Sequence, residues 1–172
     1  MAALLGALVV VIIHNTAGIP PETLVRAQTQ IEHLFKDGGV SVRWADQRQP
    51  NVFTIQVLIR RQPGGGPGGS SPAALGTTLG GDHSRSGSSF VFYDRVLSFA
   101  HAHARAVETI LAYAITHELG HVLLPAPAHT ESGLMKAEWC EDDLRQFNAD
   151  LHFNTIQIAA MQSRLSSCCP DD

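Results

Sequence analysis

Apolar and polar positions along this chain follow two periods, each marking a different kind of element. The first apolar run, Leu8–Ile13, is mostly β-branched and is followed by turn residues at Asn15–Gly18, the pattern of a buried strand covered on both faces. The alternative is a secretory-signal remnant over Met1–Ile13. No Lys or Arg precedes Arg26, however, and small residues do not fall at a convincing cleavage site. Pro20-Pro21-Glu22 then opens a helix, since proline suits a first turn and glutamate the positive end of the helix dipole. Leu24, Ala27, Ile31, Leu34 and Phe35 recur at helical spacing until Gly38-Gly39 stops it. Val40–Trp44 alternates as a strand. So does Val52–Ile59, with Val52, Thr54, Gln56 and Leu58 on one face and Phe53, Ile55, Val57 and Ile59 on the other.

Residues 62–89 hold 9 of the 15 glycines, so Gln62–Pro72 reads as a flexible surface loop and Ala74–Leu79 as a brief edge strand. Ser89–Val96 is a further strand. A long helix is expected from about Ala102 to Leu124, where Pro125 and Pro127 prevent its continuation. A last helix runs from about Glu141 to Leu165, with Leu144, Phe147, Leu151, Ile158 and Met161 at apolar positions. There is no internal repeat. The β-α-β order near the start implies a parallel pair in a mixed sheet with helices packed on it, an α/β (α+β) fold.

The length, 172 residues, suits one domain with a real core. With 44% apolar and 16% charged residues, the chain is neither a disordered tail nor a charge-rich coiled coil. A net charge of -4 excludes the broad basic footprint of a nucleic-acid binder. The longest apolar run, Ala2–Ile13, falls short of the roughly 18 residues a membrane span needs. Three cysteines are too few for a disulfide-built scaffold. A bridge from Cys140 to Cys168 or Cys169 is open only outside a reducing compartment.

The chemistry concentrates in His117-Glu118-Leu119-Gly120-His121, an H-E-x-x-H pattern near the end of the long helix. Residues four apart share one helical face, so both imidazoles can reach a single metal ion. Glu118 sits one position round, suited to act as a general base on a water at the metal. A catalytic zinc takes three protein ligands and keeps a fourth position open. Beyond the Pro125-Ala126-Pro127 turn, His129 lies where a returning chain can supply the third; Glu131, Glu138 and Glu141 are the carboxylate alternatives. His101-Ala102-His103 reads as a solvent-facing pair, and His14, His33, His83 and His152 have no partner at ligand spacing. Tyr93-Asp94-Arg95 offers packing or hydrogen bonding near the long helix, and Trp139 a wall of the lower core.

The pattern His117-Glu118-Leu119-Gly120-His121, then His129, then Ser132-Gly133-Leu134-Met135 resembles the metzincin clan of zinc metallopeptidases, and most of all its very short bacterial forms. The resemblance implies one Zn2+ held by His117, His121 and His129, Glu118 as base, and Met135 in a turn beneath the metal. It also implies a single catalytic domain over 1–172. A sheet-bearing upper part, 1–124, would carry a backing helix and the active-site helix; a lower part, 125–172, would carry the methionine turn and a small C-terminal helical subdomain. Two departures stand out. Leu124 occupies the clan's glycine position, and His129 follows His121 by eight residues rather than six, so the chain must leave the helix differently. No tyrosine follows Met135.

The function expected is a zinc-dependent endopeptidase acting as a monomer on a peptide or protein substrate, with no nucleic-acid partner and no membrane span. Substrate would lie extended along the Ala74–Leu79 edge. A secreted or periplasmic location follows from the resemblance alone. The alternatives are a non-catalytic metal-binding interaction protein and a glutamate-liganded zinc peptidase.

Overall fold

The computed structural model describes residues 7–61, 74–79, 85–146 and 151–167. The expected Gln62–Pro72 loop, His83, Phe147, Cys168 and Cys169 therefore lie outside the described residues, as do residues 1–6. Five strands form one mixed sheet: β1 (Ala7–Asn15), β2 (Val40–Trp44), β3 (Phe53–Arg60), β4 (Gly76–Leu79) and β5 (Ser86–Phe92), in the order β2-β1-β3-β5-β4. β1 runs parallel to β2 and β3, and β3 parallel to β5; β4 closes the edge antiparallel to β5, with Thr78 opposite Ser89. The β-branched run becomes the central β1, whose Val9–Ile12 are all buried, as a strand covered on both faces requires. The expected mixed α/β architecture, with helices packed on a mixed sheet, is thus present.

Helix α1 (Pro21–Lys36) buries Ala27, Ile31, Leu34 and Phe35 and ends before Gly38-Gly39. Three expected boundaries are corrected. The strand placed at Ser89–Val96 begins at Ser86 and ends at Phe92, where α2 (Tyr93–Ala102) starts. Its small polar residues read as loop, yet they pair with β3 and let a helix approach closely: Val122 lies where a side chain on Gly87 would go. The long helix placed at Ala102–Leu124 begins later, as α3 (Val107–Leu123); its expected first residue, Ala102, is the last of α2. The chain breaks at Ala104, in the left-handed region at φ 50°, while Arg105 N–H donates to Ala100 O at 2.8 Å. The break lets α2 fold back against α3, and nothing but an alanine marks it.

The helix placed at Glu141–Leu165 is also two, α4 (Glu141–Gln146) and α5 (Thr155–Ser167). Residues 151–154 are non-helical, with Leu151 and Phe153 buried and the Phe153 ring 5.3 Å from that of Phe35. α5 has its own start: Asn154 N–H donates to Gln157 Oε1 and Gln157 N–H to Asn154 Oδ1, both at 2.9 Å, a reciprocal cap. The Asn154-x-x-Gln157 signature of this cap stands in the sequence, inside the stretch of apolar spacing expected as one helix.

α3 is the hub. It touches β3, β4, β5, α1, α2 and α5 and buries all of Ile110–Thr116, so it has no polar stripe over most of its length. Leu134, Met135, Leu144, Leu151, Phe153 and Met161 join the same buried cluster as the strands and α3. Among the described residues no helix is long and apolar enough to cross a membrane. Asn154→Ala removes the cap of α5 and should destabilise the fold by about 1 kcal/mol, while Asn154→Asp costs much less; denaturant unfolding, at unchanged dependence on denaturant, measures both.

Candidate metal centre

After the fully buried stretch Ile110–Thr116, the last two turns of α3 carry His117, Glu118 and His121, each facing a polar partner. His117 and His121 are half-buried on one face, Glu118 is buried and 5% exposed, and His129 is exposed. α3 leaves through Leu124 in an extended conformation (φ -98°, ψ 150°), not through a left-handed turn. That is the different exit that leucine at this position demands. The chain then returns. Thr130 N–H donates to Met135 O at 3.0 Å and the Thr130 hydroxyl to Ser132 O at 2.9 Å. Gly133 takes φ 83°, and Leu134 N–H donates to His152 O at 3.2 Å. This clip sets His129 beside the helix.

His121 Nε2 lies 3.1 Å from His117 Nε2 and 3.0 Å from His129 Nε2, and all three ligand nitrogens fall within 4.8 Å of one another. His117 Nδ1 lies 2.9 Å from Leu134 O, which can only accept, so Nδ1 carries the proton and Nε2 presents a lone pair. His121 Nε2 faces two other imidazole nitrogens but has at most one proton to share, so hydrogen bonding alone cannot satisfy the cluster. A cation at its centre can. Nitrogens bound tetrahedrally at about 2.0–2.1 Å stand roughly 3.3–3.4 Å apart, close to the separations here. Burial lowers the His117 pKa, against the raising effect of Leu134 O. Burial, with help from the neighbouring imidazoles, pushes His121 down to about 4. Both are thus neutral bases near pH 7, the form a metal requires. His117, His121 and His129 could hold a metal ion.

The surroundings hold the histidines in place. Trp139, half-buried, stands edge-on to the His117 ring at 5.6 Å and to Tyr113 at 6.3 Å. Met135 is fully buried under α3, and a Cβ on Gly120 would sit 2.4 Å from its Sδ. Gly120, between His117 and His121, is what admits this methionine. Sequence reasoning missed it, although a lone glycine inside an apolar helix is a known sign of close approach. It missed the partners of Glu118 as well. Thr78 Oγ1 donates to Glu118 Oε2 at 2.7 Å, and a Cβ on Gly76 would meet Glu118 Cγ and Oε1 at 2.7 Å. Burial raises the Glu118 carboxyl to about 7, against the lowering effect of the Thr78 hydroxyl. No motif joins residues 76 and 78 to 118; only the fold does.

The other candidates fall elsewhere. Among the described residues the metal-capable cluster contains no carboxylate. Glu131 and Glu138 are exposed, and Glu141 binds His103, whose ring lies 4.5 Å from Phe99. His103 is therefore half-buried and paired, not solvent-facing like His101. His14 meets the Gln56 amide at 3.2 Å, and His152 pairs with Asp37 at 3.8 Å. Asp94 binds Arg61 at 3.0 Å, and Arg95 donates to Ala74 O at 2.6 Å. Cys140 is exposed and makes no disulfide among the described residues, which do not include Cys168 and Cys169.

Behind the turn, Lys136 Nζ donates to Asp143 Oδ2 at 2.6 Å, and Cys140 N–H donates to the same oxygen at 2.7 Å. Partial burial pushes the Asp143 carboxyl up, but these donors outweigh it and leave it below its ordinary value. Lys136 is held above its own, chiefly by Asp143. A lowered carboxyl stabilises the fold above its unfolded pKa and loses that contribution as pH falls through the folded one. A raised lysine contributes below its unfolded pKa and loses it as pH rises through the folded one. The stability gap between wild type and Lys136→Met should therefore be widest between the two ranges. It should close as pH falls below the carboxylate range or rises past the lysine range, as unfolding at each pH would record.

For the metal, His129→Ala should lower affinity at least about tenfold, on the order of 1.4 kcal/mol, and Glu138→Ala and Glu141→Ala should leave it nearly unchanged. Titration against a competing chelator decides this. No protein-family model matches the chain, and no curated protein sequence does either, so what can be said of the site rests on its own geometry.

Proposed function

We propose that this protein is a zinc-dependent endopeptidase of metzincin-like architecture. The observation that carries the reading is the convergence of three imidazole nitrogens beside a buried carboxylate one position along the same helix. A three-histidine set suits zinc among the metals that imidazole binds, and leaves a fourth position for chemistry. The Met135–Gly120 contact beneath the ligands and the three-histidine set that lacks a carboxylate both support the metzincin resemblance over a glutamate-liganded peptidase.

Bound zinc supplies Lewis acidity to a carbonyl oxygen and to a water. The remaining work falls to the chain. His117, fixed by Leu134 O, presents one lone pair to the metal. Glu118 takes a proton from the attacking water and passes it to the leaving amine as the peptide bond breaks, a task suited to a carboxyl whose pKa burial has raised toward neutrality. β4, the edge strand of the sheet among the described residues, lies beside Glu118 and would offer main-chain groups to an extended peptide.

Protein reconstituted with zinc is expected to hold one ion per chain. Glu118→Gln should retain that ion and the fold while losing about 10²–10⁴-fold in cleavage of a diverse peptide library. A wild-type protein that binds zinc and is as inactive as the mutant would turn the assignment to a non-catalytic metal-binding protein.

A further inference from the structure

The side chain of Glu118 is held by the β4–β5 hairpin, not by α3, which bears it. Thr78 and Ser89 are opposite each other in the hairpin register, and Gly76 lies two residues before Thr78 on the same face of β4. All three meet Glu118. Gly76 presents a bare Cα to Cγ and Oε1, and Thr78 Oγ1 lies 2.7 Å from Oε2. The same hydroxyl is 3.1 Å from Glu118 O and 3.1 Å from Ser89 Oγ, which is itself 3.4 Å from Glu118 O. A hydroxyl has one proton, and an ionised carboxylate only accepts. The short contact assigns Thr78's proton to Oε2, and Ser89, 1% exposed, can in turn donate to Thr78 Oγ1. Such a chain polarises along its length and strengthens the final, charge-assisted bond.

A glutamate has three side-chain torsions, and a base that acts on one water must bring one oxygen to one place. We propose that Thr78 is a positioning residue for Glu118: its hydroxyl, backed by Ser89, occupies Oε2 and fixes the carboxylate plane, which reserves Oε1 for the proton taken from water. The inference rests on the hydrolytic function proposed above. It gives the edge strand a second task, since the segment suited to pair with a substrate backbone also holds the base. Thr78 touches none of the three histidines, so its loss should act on the base and leave the metal in place.

The test uses zinc-loaded protein and a quenched fluorescent peptide chosen from the library. Thr78→Val keeps the shape and removes the donor; Thr78→Ser keeps the donor. The expected result is a fall in kcat of at least about tenfold in Thr78→Val, with KM within about twofold and zinc affinity unchanged. Thr78→Ser should recover most of the rate. In metal-free protein, the infrared carboxylate band of Glu118, identified by its absence in Glu118→Gln, should shift in Thr78→Val and return in Thr78→Ser. A wild-type kcat in Thr78→Val, an unshifted band, or a serine variant as slow as the valine would overturn the role. An active wild type with those results overturns positioning alone; a wild type that holds zinc and cleaves nothing removes the hydrolytic reading together with it.

Discussion

The burial of α3 is the constraint on which the rest of this structure depends. The helix is enclosed by three strands and three helices, and its side chains from Ile110 to Thr116 are sealed from water. An apolar helix in such a position gains from burial on every side, and it can carry polar groups only where each finds a partner. Its last two turns show how that condition is met. Thr116 donates to the Ala112 carbonyl at 2.8 Å, His117 meets Leu134 O, and Glu118 meets Thr78. The Nε2 atoms of His117 and His129 both face that of His121.

Close approach is the second theme, and it follows from the first. Where β4, β5 and Met135 press on α3, one of the two surfaces carries a glycine. Gly120 yields to Met135 from below, and Gly76 on β4 yields to Glu118 from the sheet edge. These contacts hold the ligand-bearing turn between the sheet on one side and the returning 129–136 clip on the other. Interiors pack too densely for either surface to slide without cost, so the histidines and the carboxylate are presented from a fixed frame.

Segments remote in sequence therefore define the site. The clip supplies His129, the carbonyl of Leu134 and the buried Met135, and is in turn tied to the 151–154 stretch through His152 O and to α4 through Lys136 and Asp143. The β4–β5 hairpin supplies the partners of Glu118. Nothing else among the described residues brings three metal-capable side chains together, so chemistry and packing converge at one end of one helix.

The sequence by itself determined the elements whose pattern is dense and local. The β-branched run reads as a covered strand; proline and a glycine pair bracket α1; and the i, i+4 histidines put His117 and His121 on one helical face, with His129 after the proline turn as one of several candidates to join them. It did not determine where continuous apolar spacing is interrupted for tertiary reasons. The left-handed Ala104 and the non-helical 151–154 segment exist because α2 and Phe153 find their contacts only if the chain turns there. Nor could it disclose that Ser86–Ser88 is strand, since such small polar residues carry no strand pattern until β3 and a helix pack on them. The partners of Glu118 were decided only in three dimensions. A hydroxyl forty residues upstream carries no local signal, and it becomes a donor to this carboxylate only when the sheet edge is laid against the buried helix.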